Sequence, residues 1–308
     1  MTIAQIYFGI DVSKAWLDVF DASSGKASRV VNAQADIAAF LAGLPAGAFV
    51  TFEATAPYDG ELRRALDAAK IGSVRANPGR AREFARAKGK LAKTDAVDAR
   101  MLAALPEALG LAPAPAYDAE REALVALHRR RDQLVDARAI ERGRIADEPD
   151  NRAKTSLSRH IAWLTREIKL VEDEIEAALT SPAFAPKVAL MRSIKGVGAV
   201  TAATLIALMP ELGSVSGKAA ASLAGLAPFN CDSGNMRGQR HIGGGRSRVR
   251  RALYMAALSA IRRVPRFKAQ YQAIKARAKR SKIAIIAVAR KILVVLNAML
   301  KSGEPFRV

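Results

Sequence analysis

Four acidic residues in the first third of the chain have the type and placement to bind divalent metal ions. Asp11 lies near the end of the first predicted strand, and Glu53 ends the fourth. Asp95 and Asp98 fall three residues apart in the first turn of a predicted helix, so both project from one face. Singly, each carboxylate is better explained as a solvated surface, strand-end or helix-start charge. Jointly, they match a site holding two Mg²⁺ or Mn²⁺ ions about 4 Å apart for phosphodiester displacement.

The hydrophobic pattern of the same region predicts the elements that position these carboxylates. Short runs of alternating apolar and polar residues predict three strands in hairpin order at 6–12, 15–20 and 28–31. Helices are then predicted at 35–44, 58–70 and within 78–109, with strands at 49–52 and 71–76. This order is typical of a mixed α/β layer architecture.

A proline-rich run at 111–118 interrupts this pattern, and most of the chain beyond it is predicted to be helical. Apolar residues at helical spacing over 119–147 and 156–179 predict two long helices, which form either an antiparallel coiled coil or a long connector. We therefore expect an α/β domain at 1–112, a helical coiled-coil region at 118–181 and a mostly α-helical domain at 182–308.

The last predicted domain contains a glycine hairpin that resembles a helix-hairpin-helix element. Lys195 lies in this hairpin, between Ile194 and the Gly196-Val197-Gly198 turn that precedes an apolar helix. Backbone N–H groups at such a helix start can bind phosphate, and Lys195 is a candidate nucleic-acid contact. Glycines in turns between packed helices also have a purely steric explanation.

The positive charge of this 308-residue chain is confined to its last part. The formal net charge is +20, yet residues 1–180 hold 26 basic and 26 acidic residues, whereas residues 181–308 hold 23 basic and only 3 acidic residues. This segregation indicates a polyanion-binding module joined to a neutral one, although a solvated helical surface is the alternative. Few aromatic residues accompany the charge, so we expect phosphate contacts rather than base stacking.

Other features of the composition exclude several protein classes. The single cysteine, Cys231, excludes an internal disulfide framework and a multi-cysteine zinc site. The N-terminus lacks the pattern of a signal peptide. The apolar stretch 283–300 carries Arg290 and Lys291 at its middle, which favours a buried helix over a membrane span. We expect a cytoplasmic protein without membrane association.

Five segments of the sequence point to a known family. They are GIDVSKAWLDVF, TFEATAPYDGELRRAL, RANPGRAREFARAKGKLAKTDAVDARMLA, IKGVGAVTAATLIALMPELGS and LAGLAPFNCDSGNMRGQRHIGGGRSRVRRALYMAAL. Together they resemble the transposases of the IS-110 insertion-sequence family, including its IS-1111 group. The acidic set and the glycine- and arginine-rich loop occur together and in the family's order.

The resemblance implies a fold, a site and a reaction. The fold is an RNase H-like (RuvC-like) N-terminal domain, a coiled coil and a C-terminal transposase domain. Asp11, Glu53, Asp95 and Asp98 become the metal-binding tetrad, and Ser233 becomes a catalytic serine that forms a phosphoserine intermediate. Donor and target DNA are selected by a structured bridge RNA, which acts as a guide. Because serine and metal site are expected to meet across subunits, the protein is expected to be a dimer or tetramer.

The remaining candidate residues are arginines near the serine. These arginines could clamp the scissile phosphate or could make general phosphate contacts: Arg237, Arg240, Arg246 and Arg248. Two other functions stay open: a RuvC-type junction nuclease that acts by metal-dependent hydrolysis, and a non-catalytic nucleic-acid-binding protein.

Overall fold

A computed structural model describes residues 5–55, 57–89, 95–230, 238 and 240–306, with the backbone alone at 95–97. The chain divides into two compact units, Met1–Asp118 and Ala119–Val308. Each unit has a hydrophobic core of its own. The first unit is mixed α/β and the second is mostly helical, as the sequence predicts, while the finer division into three domains stays a prediction.

The first unit is built on a five-stranded mixed sheet. Its strands are β1 Ile6–Val12, β2 Trp16–Asp21, β3 Ala27–Val31, β4 Ala48–Glu53 and β5 Gly72–Ala76. They lie in the order β3-β2-β1-β4-β5, with β1, β2 and β3 antiparallel and with β4 and β5 parallel to β1. The helices are α1 Gln34–Ala42, α2 Gly60–Ala68, α3 Pro78–Ala87 and α4 Asp95–Leu109.

The two faces of this sheet are covered in different ways. On one face Phe8, Ile10 and Val12 form a core with the buried side chains of α1 and α2. The other face is covered by α4, which packs on β1, β2 and β4. A Cβ atom at Gly9 would lie 1.9 Å from the Ala99 carbonyl oxygen and 2.4 Å from the Ala103 nitrogen. The missing side chain at Gly9 therefore lets the backbone of α4 lie directly on β1.

The second unit is an assembly of eight helices and one short ribbon within its described residues. The helices are α5 Ala119–Asp147, α6 Asn151–Ala178, α7 Ala185–Arg192, α8 Ala199–Leu208, α9 Gly217–Leu223, α10 Ser247–Arg263, α11 Pro265–Ala278 and α12 Ser281–Ser302. The ribbon pairs β6 Pro228–Phe229 with β7 His241–Ile242. Helix α6 begins five residues before the predicted start because the Asp150 side chain accepts hydrogen bonds from the Arg152 and Ala153 N–H groups.

Helix α12 is the central helix of the second core. By length and composition alone it could cross a membrane, yet half of its apolar window is buried inside the protein. It packs against α7, α9, α10 and α11. Val288, Leu293 and Leu296 are fully buried there. Packing between helices therefore accounts for the apolar stretch that the sequence predicts to be a buried helix.

The close approach at Gly9 predicts a local packing defect. We expect Gly9→Ala to lower the free energy of unfolding of the first unit by about 1–3 kcal/mol, since the new methyl group overlaps the α4 backbone. Trp16 and Trp163 are the only tryptophans, one in each unit. Urea unfolding in a Trp163→Phe background, followed by fluorescence, therefore reports on the first unit through Trp16.

The matched control for this measurement is Gly43→Ala. Gly43 ends α1 with an ordinary φ of −85°, and the nearest atom to its new methyl group is 3.5 Å away. Its effect should stay within about 0.5 kcal/mol. Equal effects at the two glycines would contradict the packing role of Gly9.

Candidate active site

Two of the four predicted carboxylates lie side by side at the carboxyl ends of neighbouring parallel strands. Ile10 on β1 is in register with Phe52 on β4, so the next residues along the two strands are Asp11 and Glu53. Strands in a sheet are about 4.8 Å apart, and residues in register share a face. Both side chains are half-buried. They leave the sheet on the face of Gly9, which α4 covers.

A third carboxylate in the same row was not among the residues predicted from the sequence. Asp18 on β2 is in register with Asp11, on the same face. Arg29 on β3 is in register with Asp18 and donates a hydrogen bond from Nε to its carboxylate at 2.8 Å. The row thus runs Arg29, Asp18, Asp11, Glu53 across four strands. The short β1–β2 hairpin fixes this alignment and is the sequence signal that could have identified Asp18.

Helix α4, which covers this face, contains the other two predicted residues, Asp95 and Asp98. Asp98 immediately precedes Ala99, whose carbonyl oxygen meets Gly9, so Asp98 lies within one turn of the contact with β1. Its side chain is half-buried. Asp95 is the first residue of α4, and its side chain lies outside the described part of the structure.

The donor atoms of this region suit a hard divalent cation. Asp11, Glu53 and Asp98 offer carboxylate oxygens, which Mg²⁺ and Mn²⁺ prefer. Among the side chains that the structure describes, no three Asp, Glu, His or Cys residues are grouped closely enough to hold a metal ion. The described geometry therefore brings Asp11 and Glu53 together and places Asp98 on the covering helix, but it does not assemble a complete ligand set.

The predicted serine and one of the predicted arginines lie outside the described residues. Ser233 and Arg237 belong to the segment that comes after β6. The residues on either side of that segment are paired, because Phe229 on β6 is in register with His241 on β7. The ribbon therefore brings the two ends of the serine-containing segment next to each other.

Two of the predicted phosphate-binding arginines form ion pairs inside the second unit. Arg246 donates two hydrogen bonds to the Glu211 carboxylate, at 2.6 and 2.7 Å. Burial raises the pKa of Glu211, but the hydrogen bonds from Arg246, a backbone hydrogen bond and the charges of Arg246 and Arg121 together outweigh burial and leave that pKa below its ordinary value. The Nε atom of Arg248 lies 3.1 Å from the Asp132 carboxylate on α5. Arg246 thus ties the start of α10 to the α8–α9 connection and Arg248 ties α10 to α5, whereas Arg240 is exposed.

The glycine hairpin before α8 has a steric role in the structure. Gly196 has a φ of +117°, and a Cβ atom there would lie 2.7 Å from the Ala260 nitrogen on α10. The first turn of α8 shares a surface depression with three carboxylates of α6, those of Glu172, Asp173 and Glu176. Each of these carboxylates is paired with a cation: Glu172 with Arg131, Asp173 with Lys169 and Glu176 with Arg192. Lys195 is exposed in this hairpin and remains a predicted nucleic-acid contact.

A buried histidine in the second unit has a structural role. His128 is 3% exposed, and its Nε2 lies 2.6 Å from the Thr204 Oγ1. Thr204 uses its own proton to donate to the Val200 carbonyl, so His128 is the donor of the pair. Burial lowers the pKa of His128 below its ordinary value, which keeps the ring neutral. His128 therefore fixes α5 against α8.

Comparisons with known proteins match most of the chain. A family model described as "Transposase", for the DEDD transposases of IS110 elements, matches residues 8–147. A second, described as "Transposase IS116/IS110/IS902 family", matches residues 188–272. Both models describe transposases, and their two matches together cover more than two thirds of the sequence. The chain belongs to the IS116/IS110/IS902 family of transposases.

Curated relatives are similar over part of their length. The chain is 31% identical over 150 residues to "Insertion element IS110 uncharacterized 43.6 kDa protein" of Streptomyces coelicolor. The aligned residues make up 48% of this chain and 36% of the relative. It is 32% identical over 130 residues to a "Pilin gene-inverting protein" of Moraxella lacunata and to another of Moraxella bovis, covering 41% of this chain and 40% of each. The matches thus span well under two thirds of these relatives.

The Arg246–Glu211 pair predicts that one arginine of the loop region supports the fold. We expect Arg246→Gln to lower the free energy of unfolding by about 1 kcal/mol, because the half-buried Glu211 loses both of its hydrogen bonds to the guanidinium. Thermal unfolding measures the change. The matched control is Arg240→Gln, because Arg240 is exposed. This variant should unfold at the same temperature as the original protein.

A double variant tests the pairing itself. If Arg246 acts through Glu211, adding Glu211→Gln to Arg246→Gln should restore part of the lost stability. The reason is that an uncharged glutamine costs less free energy than a carboxylate when it is half-buried without the guanidinium. Unchanged unfolding of Arg246→Gln would show that this arginine does not support the fold.

Proposed function

We propose that this protein is a DNA transposase that cuts and rejoins DNA strands, with a divalent-metal site on the α/β unit and a serine nucleophile on the helical unit. The observation that carries the proposal is the row of carboxylates at the ends of β1 and β4, beneath the helix that bears Asp98. Family membership supports DNA as the substrate. The names of the Moraxella relatives support rearrangement of DNA segments as the outcome.

The sheet supports an RNase H-like assignment for the first unit. The order β3-β2-β1-β4-β5, with three antiparallel strands and then two parallel ones, is typical of RNase H-like folds. In this arrangement the carboxyl end of β1 lies beside that of β4, so a carboxylate on each can face the same ligand. We propose that Asp11, Glu53, Asp95 and Asp98 hold Mg²⁺ or Mn²⁺ here. Bound ions of this kind supply charge stabilisation to a phosphodiester undergoing displacement.

The proposed chemistry of Ser233 conserves the phosphodiester bond. The serine Oγ bonds to phosphorus, the sugar oxygen leaves and takes up a proton, and the DNA strand remains attached to the protein. In the reverse step a sugar hydroxyl of another strand bonds to phosphorus, and the serine regains its proton. One bond forms for each that breaks, so no ATP is needed. The sequence correspondingly contains no GxxxxGK[ST] phosphate-binding loop.

We further propose that a structured bridge RNA guides the reaction and that the protein acts as a dimer or tetramer. The resemblance of the sequence motifs to the family supports the guide RNA, as does the cationic character of residues 181–308. In the oligomer, Ser233 of one protomer would act on a phosphodiester held by the carboxylates of another.

The metal proposal is tested by Asp11→Asn, which keeps the side-chain shape and removes the charge. We expect strand cleavage to fall by more than about 100-fold and DNA binding to be retained, because the variant loses a carboxylate that coordinates the metal directly. The assay uses a plasmid carrying the DNA that flanks the gene, together with RNA that copurifies with the protein. Asp36→Asn, an exposed carboxylate in the first turn of α1, is the control. Full cleavage by Asp11→Asn would exclude this metal site.

The serine proposal is tested by Ser233→Ala, with the exposed Ser158→Ala on α6 as the control. The original protein should form a covalent adduct with DNA that survives denaturation. The Ser233→Ala variant should form no adduct and should cut no strands. Cleavage by Ser233→Ala without an adduct would instead identify a metal-dependent nuclease acting by hydrolysis. A protein that binds DNA but never cuts it would support the non-catalytic alternative.

A further inference from the structure

The largest run of unopposed positive charge in the chain surrounds α11. The sequence contains no acidic residue between Asp232 and Glu304. Within this stretch the cations before and inside α10 are partly used by the fold, since Arg246 pairs with Glu211 in the α8–α9 connection and Arg248 pairs with Asp132 on α5. The cations of α11 and of its flanks are instead exposed: Arg262, Arg263, Arg266, Lys268, Lys275, Arg277, Lys279, Arg280 and Lys282.

The packing of α11 fixes which of its faces points outward. Phe267 is 1% exposed and stacks on Phe306, with ring centroids 5.7 Å apart. Tyr271, Ile274 and Ala278 come next at helical spacing and are half-buried, and α11 packs against α10 and α12. The helix therefore cannot rotate about its axis without exposing this apolar stripe.

The outward face of α11 is narrow and uncharged, with cations on both sides. Its centre consists of small or neutral residues that are all exposed: Ala269, Gln272, Ala273 and Ala276. At about 100° per residue, Arg266 and Arg277 lie along one edge of this face, and Lys268 and Lys275 lie along the other. Lys275 also lies 5.9 Å from the centre of the Tyr271 ring, which keeps its ammonium at the edge.

We propose that α11 inserts into the major groove of duplex DNA, with each edge of cations contacting the phosphates of one strand. This proposal rests on the proposed function, in which DNA is the substrate. A helix with its side chains is about 10–12 Å wide, and the major groove of B-form DNA is about 12 Å wide. The small side chains of the outward face allow the backbone of α11 to approach the base edges, and Gln272 lies among them as a hydrogen-bonding group.

The same features argue against other occupants. The major groove of A-form RNA is deep and too narrow for side chains to read, so a helical face flanked by two rows of cations does not fit duplex RNA in this way. A binding surface for single strands would present aromatic rings to unstacked bases. The two aromatic side chains of α11, Phe267 and Tyr271, both contact the core instead.

The first experiment removes each edge of cations separately. The variants are the pair Arg266→Gln with Arg277→Gln, and the pair Lys268→Gln with Lys275→Gln, each in the full chain. We expect each pair to weaken binding to a B-form DNA duplex by about tenfold and to reduce the slope of log K against log salt by about 2. Fluorescence anisotropy over a salt series measures both. Arg152→Gln with Arg159→Gln, exposed cations of α6, is the control pair.

The outcome distinguishes groove insertion from a one-sided patch. Groove insertion requires comparable losses from both pairs, because the two edges contact different strands. A loss confined to one pair would overturn the proposal, as would losses no larger than that of the control pair.

The second experiment tests insertion without changing charge. Ala273→Leu and Ala276→Leu add bulk to the outward face while keeping helix propensity, and Ala162→Leu on α6 is the control. We expect at least fivefold weaker binding to DNA and unchanged binding to an RNA duplex of the same sequence. Unchanged DNA binding, or equal losses on DNA and RNA, would overturn insertion into the groove. These assays use uncut DNA and no metal, so their failure leaves the cleavage tests of Asp11 and Ser233 independent.

Discussion

The contact between α4 and β1 at Gly9 is the constraint on which the candidate site depends. Backbone atoms of Ala99 and Ala103 occupy the space that any side chain at Gly9 would fill. This contact sets how closely the helix bearing Asp98 can approach the strand bearing Asp11. A larger residue would displace the whole helix rather than one side chain, because the clash is with main-chain atoms. The position of a candidate ligand is therefore determined by a residue that has no functional group.

The carboxylate row shows how a mixed sheet concentrates charge. Antiparallel pairing aligns Asp18 with Asp11, and parallel pairing aligns Asp11 with Glu53. Three acidic residues in one row repel one another, and Arg29 at the edge of the row offsets part of this repulsion through Asp18. A divalent cation would offset more.

Much of this arrangement could be predicted from the sequence, for identifiable reasons. The strands of the first unit can be read from the alternation of apolar residues, and the order of strands and helices identifies the mixed α/β class. The contribution of Asp18 depends on the hairpin register, and that of Gly9 depends on which helix lies over it, so composition reveals neither. The arginines near Ser233 illustrate the same limit. Their proximity to Ser233 in the sequence gives no sign that Arg246 and Arg248 also pair with carboxylates that lie 35 and 116 residues earlier in the chain.

The ribbon of β6 and β7 has a consequence for how this family can vary. It joins the chain immediately before and after the segment that contains Ser233, with Phe229 beside His241. The entropy of closing a loop anchored in this way grows only slowly with its length, by about 0.6 kcal/mol for each doubling. Insertions or deletions between the two strands would therefore leave the surrounding helices nearly unaffected. Evolution can thus remodel the segment that contains Ser233 at small thermodynamic cost while the scaffold that carries it stays the same.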